Sequence, residues 1–210
     1  MIEMLKTTIL ETTLKEVSSK ELKSIPKFIE NTDYKITSFK EADNVIKNAI
    51  VEKQYEKRLP KETGDDGTKR GEWEGERGNS KWRPNKDLIP TGQGTNKERL
   101  TWEEILEKNN IDGIDFKDGE PDFSEVSKET VEIDGFTDDR RVNFKKADIE
   151  AAEKRNCTPQ EVREWRKENG YTWHEKSDQK TMEKVPSEIH GNVPHSGGVS
   201  EYKKGEVNNA

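Results

Sequence analysis

The amino-acid sequence predicts an α+β fold, a mainly helical domain with small β elements. Apolar side chains recur at helical spacing between residues 138 and 156 and again between residues 158 and 169. Short runs rich in aromatic and β-branched residues, bounded by turn residues, indicate the strands. Residues 171–198 predict a strand, a loop, a second strand and a short helix, in that order. Such a unit is too small to hold a core alone, but it can bring a residue on its first strand to face residues on or after the helix.

Composition bounds the class of protein. The chain has 210 residues, of which 28% are hydrophobic and 39% are charged, and its formal net charge is −7. This length suits one moderate domain with an appendage, and the low apolar content indicates that part of the chain is extended or depends on a partner. Strong acidity is not the usual footprint of a nucleic-acid-binding protein. Residues 163–204, however, carry eight basic and seven acidic side chains, so a phosphate site there is compatible with the overall charge.

Targeting and covalent features are few. A single cysteine, Cys157, excludes an internal disulfide framework. The sequence has no apolar run long enough to span a membrane, and Met1–Leu14 is amphipathic and acidic, unlike a signal peptide. We therefore expect no membrane partner. If the protein leaves its cell, it does so by a specialised route or as the tip of a longer polypeptide.

The predicted organisation follows the chain in order. Thr101 and Thr158 each precede a glutamate by three residues, which predicts a capping box at the start of two helices. Lys117–Glu120 has the residues of a tight hairpin turn. The predicted segments are a helical segment or linker over residues 1–58, a Gly/Pro-rich linker over 59–70 within a loop-rich stretch reaching residue 96, a domain over 71–204, and a disordered tail over 205–210.

Residues 171–198 contain all three histidines of the protein, His174, His190 and His195. The first predicted strand carries His174, and Pro186 ends the second because it has no N–H for a sheet. Ser187 is then the predicted N-cap of a helix that carries His190 and ends near Pro194 and Gly197. Imidazole is the side chain that accepts protons or binds metal near neutral pH, so we expect any histidine chemistry to occur here.

The W-H-E, V-P-S-E-I-H and P-H-S-G-G motifs of this stretch resemble the HNH/endonuclease VII superfamily, and in particular bacterial polymorphic-toxin nucleases of the Trp-His-His and Gly-His-Glu types. The resemblance is specific over the C-terminal quarter and extends back to about Gly71. It implies a ββα-metal finger (His-Me finger) at 171–198, a nuclease domain at 71–204 and metal-dependent phosphodiester hydrolysis, usually of DNA. Glu175 stands where many relatives have a second histidine, which leaves open which neighbour of His174 contacts the metal.

The chemistry of these residue types suits hydrolysis of a phosphodiester. We predict His174 as the general base and His190 and His195 as ligands of one divalent ion (Mg, Mn, Zn or Ni). Glu175 is a catalytic candidate, either as a third ligand or as a partner that orients an imidazole. Basic side chains that can contact the nucleic acid are Arg77, and Arg163, Arg166 and Lys167 on the solvent side of their helix, although a simple solvated face explains these three equally well.

The resemblance implies the toxic end of a bacterial competition system, a cognate immunity protein, secretion by a specialised system and action on DNA in the target-cell cytoplasm. Two alternatives remain open at this point. One is a nuclease of the same fold that cuts RNA or serves repair or restriction. The other is a non-catalytic binding module in which the metal only stabilises the small finger. A closed structural zinc site is less favoured, because such sites want four ligands and often thiolates.

Overall fold

Two small antiparallel sheets organise residues 58–209, the part of the chain that the computed structural model describes, with side chains as far as Gly205. The strands are Gly71–Trp73 (β1), Lys81–Pro84 (β2), Ile114–Lys117 (β3), Glu120–Asp122 (β4), Glu129–Glu132 (β5), Tyr171–Glu175 (β6) and Thr181–Pro186 (β7). The helices are Trp102–Lys108 (α1), Arg140–Arg155 (α2), Pro159–Glu168 (α3), Ser187–His190 (α4) and Gly198–Asn209 (α5). The first sheet has the order β1-β2-β3-β4 and the second the order β5-β7-β6. The predicted α+β class is confirmed.

Segment ends agree with the sequence at some points and differ at others. Both predicted capping boxes are present, at Thr101 and at Thr158. The N-cap of α4 is Pro186 rather than Ser187, and the helix ends at His190 after a single turn, with Gly191 as its C-cap. Helix α5 continues to Asn209 through the stretch that the sequence predicted as a disordered tail. The predicted helical segment over residues 1–58 lies, apart from Arg58, outside the described residues.

The stretch predicted as loop or extended chain, residues 59–96, contains strands β1 and β2. Trp73 and Trp82 face each other across this pair, with ring centroids 5.3 Å apart, and Trp82 is buried. In the predicted linker, Thr63 and Lys69 form an isolated bridge, and the carbonyl of Pro60 accepts a hydrogen bond from the Trp73 indole at 3.2 Å. The sequence did not reveal these strands, because three or four residues among glycines and charged residues give too little alternation to recognise.

The second sheet divides the described residues into two apolar cores. Trp173, Met182 and Val131 lie on the face that packs against α2 and α3. The opposite face contributes Val185 to the core of the first sheet, which also contains Phe123. Side chains alternate along a strand, so neighbouring residues of β6 enter different cores. The position of each polar residue of β6 therefore follows from its place in this alternation.

Candidate metal centre

Three imidazoles converge at the end of the second sheet. His174 lies on β6, His190 is the last residue of α4 and His195 follows in the connection to α5. One ring nitrogen from each lies within 4.8 Å of the other two, and Nδ1 of His174 is 3.3 Å from Nε2 of His190. We call this group the histidine cluster. It is the one group of three or more histidine, cysteine or carboxylate ligand atoms suited to a metal ion within residues 58–209.

Contacts made by the connection between β7 and α5 bring His195 close to His174. The Asn192 side chain accepts a hydrogen bond from the backbone N–H of Gly92 at 2.6 Å and donates one to the carbonyl of Glu188 at 2.7 Å. A side chain at Gly197 would meet the carbonyl oxygen of Glu175 at 2.8 Å, so glycine lets the chain pass close to β6. These contacts return His195 to the strand that carries His174.

Phe123 forms the apolar wall of the histidine cluster. Its ring centroid lies 4.9 Å from that of His174, 5.8 Å from that of His190 and 5.6 Å from that of His195. Phe123 is itself only 1% exposed. No pattern in the sequence identified this residue, because it lies on the connection from β4 to β5 and reaches the site only through the packing of the two sheets.

Burial controls the charge of the cluster. It lowers the pKa of His174 and His190 well below 6.5, and it lowers the pKa of His195 to about 4. Repulsion between the rings acts in the same direction at His174 and His190, and the positive charge of Arg140 lowers the pKa of all three. The imidazoles are therefore neutral at pH 7, which is the form that binds a metal ion.

Tautomers follow from the hydrogen bonds. Nδ1 of His195 lies 2.7 Å from the carbonyl oxygen of Val193, so this nitrogen carries the proton and Nε2 is left with a lone pair for the cluster. Three neutral imidazole nitrogens within 4.8 Å of one another are a donor set that suits a divalent transition-metal ion. The residues present thus fit the ion that the sequence resemblance implies.

Glu175 is not brought into the histidine cluster. Its buried carboxylate accepts a hydrogen bond from Arg140 Nε at 2.8 Å and another from Asn143 Nδ2 at 2.9 Å. Strand alternation accounts for this, since Glu175 and His174 are neighbours on β6 and point to opposite faces. The alternation was readable from the sequence, but the partners were not, because Arg140 and Asn143 come from a helix more than thirty residues away.

The predicted nucleic-acid contacts have different surroundings. Arg163 and Lys167 are exposed on α3. The prediction that Arg166 lies on the solvent side is wrong: it is 7% exposed and forms a two-point ion pair with the carboxylate of Asp148 on α2, at 3.2 and 2.9 Å. Arg77 is exposed in the connection between β1 and β2, where its guanidinium donates to the carbonyls of Leu59 and Pro60.

Part of the chain matches the model of a known protein family. The family model described as the DNase/tRNase domain of colicin-like bacteriocin matches residues 113–197, a range that starts before β3 and contains all three histidines. No curated protein matches the chain. The match supports a nuclease toxin domain in this part of the chain. It is broader than the HNH or Trp-His-His type that the motifs resemble.

Proposed function

We propose that the chain is a metal-dependent endonuclease that hydrolyses phosphodiester bonds in DNA and acts as the toxin of a bacterial competition system. One observation carries the proposal: three neutral imidazoles, one buried and two half-buried, converge within the region that matches a nuclease toxin family. The same family description includes tRNases, so an RNA substrate is the second candidate. Delivery by a specialised secretion system into target cells and a cognate immunity protein in the producing cell belong to the proposal.

All three imidazoles are proposed as ligands of one divalent ion. In the sequence analysis, His174 is the predicted general base. Its Nδ1, however, lies 3.3 Å from Nε2 of His190, and the residue is 1% exposed. These surroundings suit a metal ligand better than a group that receives a proton from water. Imidazole donors favour Zn or Ni over Mg and Mn, which prefer oxygen. When bound, such an ion would neutralise charge on a phosphate and lower the pKa of a water molecule.

Arg140 is proposed to hold the scissile phosphate. Its Nε is fixed by the buried carboxylate of Glu175, while the side chain as a whole remains 57% exposed. A guanidinium anchored by one nitrogen presents its terminal amino groups in a fixed direction, and such a fork matches the geometry of a phosphate. The positive charge of Arg140 lowers the pKa of all three histidines, which supports a position of this fork within electrostatic reach of the cluster. Glu175 then serves as the group that aims Arg140.

The function is tested first with supercoiled plasmid and purified protein, in EDTA and with Mg²⁺, Mn²⁺, Zn²⁺ or Ni²⁺. We expect cleavage that requires an ion. His174→Ala should reduce cleavage by at least about 10²- to 10³-fold and also weaken ion binding by calorimetry, since a ligand is lost. Lost cleavage with unchanged ion affinity would return His174 to the role of general base. Ion binding by folded protein with no cleavage of DNA or RNA would favour the binding module.

Arg140 is tested against its neighbour on the same helix. Arg141 is 92% exposed in its side chain and pairs with Asp139, so Arg141→Lys is a matched control. Arg140→Lys keeps a charge beside Glu175 but removes the planar fork. We expect Arg140→Lys to reduce kcat/KM on plasmid by about 10- to 100-fold with unchanged ion affinity, and Arg141→Lys to stay within about threefold. Equal, small effects of both variants would show that Arg140 only neutralises Glu175.

A further inference from the structure

The second ring nitrogen of His174 has no hydrogen-bond partner. Nδ1 lies 3.3 Å from Nε2 of His190, whereas Nε2 of His174 is buried and makes no hydrogen bond. One oxygen of the Glu120 carboxylate lies 4.0 Å from this Nε2. A shift of about 1 Å would bring the two atoms to hydrogen-bond distance. The Glu120 carboxylate is therefore a candidate hydrogen-bond acceptor for Nε2–H of His174.

Hydrogen bonds from a loop of the second sheet hold the carboxylate of Glu120 in place near His174. Glu120 lies on β4, after the turn in which Asp118 and Gly119 have positive φ angles of 51° and 78°, and its side chain is 23% exposed. The carboxylate accepts hydrogen bonds from the backbone N–H of Ser177 at 2.7 Å and from the Ser177 hydroxyl. Ser177 belongs to the loop after β6, so the carboxylate of the first sheet is fixed against the second. Each carboxylate oxygen has two lone pairs, which leaves Oε1 able to accept a second donor.

The direction of the hydrogen bonds follows from the acceptor. An ionised carboxylate can only accept, so a hydrogen bond between Nε2 of His174 and Glu120 requires the proton on Nε2. Nδ1 then has a lone pair and can accept from Nε2–H of His190, which is 3.3 Å away. The reverse tautomer would place a lone pair of His174 against the negative charge of Glu120. The geometry therefore selects one tautomer, and it is the tautomer in which Nδ1 is ready to bind an ion.

We propose that Glu120 is a positioning residue that accepts a hydrogen bond from Nε2–H of His174 and so keeps Nδ1 unprotonated and directed at the shared ligand position. Metal-bound histidines generally donate their other N–H to such a carboxylate, which fixes the ring and its tautomer. The inference rests on the proposed function only in taking the histidine cluster as an ion site. It assigns a role to a residue of the first sheet, outside the motifs that carry the resemblance.

The test uses the full-length protein and two readouts that do not require cleavage. Long-range ¹H–¹⁵N correlation spectra of the metal-free protein report the tautomer of each imidazole, and calorimetry reports the affinity for Zn²⁺ or Ni²⁺. We expect the Nε2–H tautomer at His174 in the wild-type protein. Glu120→Gln and Glu120→Ala should each mix the tautomers and weaken ion binding by about 10- to 100-fold. Glu120→Gln keeps the size of the side chain, which guards against a loss of folding in Glu120→Ala.

Ser177→Ala is the matched control. It removes the hydroxyl that binds the same carboxylate but leaves the backbone N–H and the charge, so we expect the tautomer to be kept and ion affinity to stay within about threefold. An Nδ1–H tautomer in the wild-type protein, or unchanged ion affinity in both Glu120 variants, would overturn the inference. A protein with the expected tautomer and ion affinity that cuts no nucleic acid would instead refute the proposed function and leave the role of Glu120 standing.

Discussion

The two faces of the second sheet treat buried polar groups in opposite ways. On the face that packs against α2, every buried charge has a partner. The pairs are Asp148 with Arg166 and the indole of Trp173, Glu129 with Lys184, and Glu175 with Arg140 and Asn143. Complete pairing of this kind fixes how α2 and α3 sit on the sheet.

On the opposite face the pairing is incomplete. Among residues 58–209, the buried side-chain atoms without a hydrogen-bond partner are His174 Nε2, Glu183 Oε2 and Ser196 Oγ. Glu183 pairs with His174 across the strands β7 and β6, and Ser196 follows His195 in the chain. Unsatisfied polar atoms in a native structure call for an explanation. The residues without full pairing are thus members or neighbours, in the sheet or in the chain, of the histidine cluster, whereas the buried charges of the other face are paired.

Breaking the paired face should give the largest effect on stability. Asp148→Ala would leave Arg166 buried and without its ion-pair partner, and would remove the acceptor of the Trp173 indole. Removing one member of a buried pair costs about 3–5 kcal/mol. We expect a loss of this size in the free energy of unfolding, measured by urea denaturation, with ion affinity changed only through the unfolded fraction. Asp138→Ala, at an exposed position before α2, should change it by less than about 0.5 kcal/mol. A loss below 1 kcal/mol for Asp148→Ala would contradict the division between the faces.

Acid should lower the stability of the protein through the histidines of the incompletely paired face. The histidines have lowered pKa values in the folded protein and values near 6.5 when unfolded, so the unfolded chain binds more protons between about pH 4 and pH 6.5. The neutral histidines therefore make their full contribution to the free energy of unfolding above pH 6.5, and this contribution is lost as the pH drops through that window. Each histidine contributes a slope of up to about 1.4 kcal/mol per pH unit.

The measurement is a series of urea denaturations in EDTA, which keeps ions from competing with protons. His190→Gln should show a shallower fall between pH 4.5 and pH 6.5 than the wild-type protein, because one proton fewer is taken up on unfolding. The same fall in both proteins would mean that His190 is not buried in its neutral form.

Much of this arrangement was readable from the sequence. The caps at Thr101 and Thr158 are local signals, and the order of β6, β7 and α4 follows from proline and from short β-rich runs. The convergence of His174 with His190 and His195 was predicted from that order. The roles of these histidines, the boundaries of the nuclease domain and the contacts with nucleic acid stay predictions.

Two sequence signals were available and led elsewhere. Val162 is buried on α3, and Arg166 lies four residues later on the same side of the helix, so the burial of Arg166 follows from helical spacing once a partner exists. Glu175 alternates with His174 on β6 in the same way. What the sequence could not supply was the partner in each case, Asp148 or Arg140, because both come from α2 and reach the sheet only through tertiary packing.

On the incompletely paired face, replacing the buried carboxylate of Glu183 should raise the stability of the protein. Burial, with the nearby acids Asp122 and Glu120, raises the pKa of Glu183, while Lys176 at 3.8 Å offsets this in part. A carboxyl with a raised folded pKa lowers stability above its unfolded pKa, near 4.5, since the charge must form in a buried site. Glu183→Gln should therefore stabilise the protein at pH 8 by about 0.5–2 kcal/mol in urea denaturation, and this gain should vanish near pH 4, where the wild-type carboxyl is protonated.

The matched control for Glu183→Gln is Glu132→Gln on strand β5 of the same sheet, where the side chain is 64% exposed and pairs with Lys180 at the surface. That change should stay within about 0.5 kcal/mol at either pH, because an exposed ion pair contributes little. A destabilised Glu183→Gln would show that Glu183 is satisfied in solution and that the contrast between the faces is smaller than the structure indicates. A gain at pH 8 accompanied by weaker ion binding would place Glu183 among the groups that maintain the histidine cluster at the expense of stability.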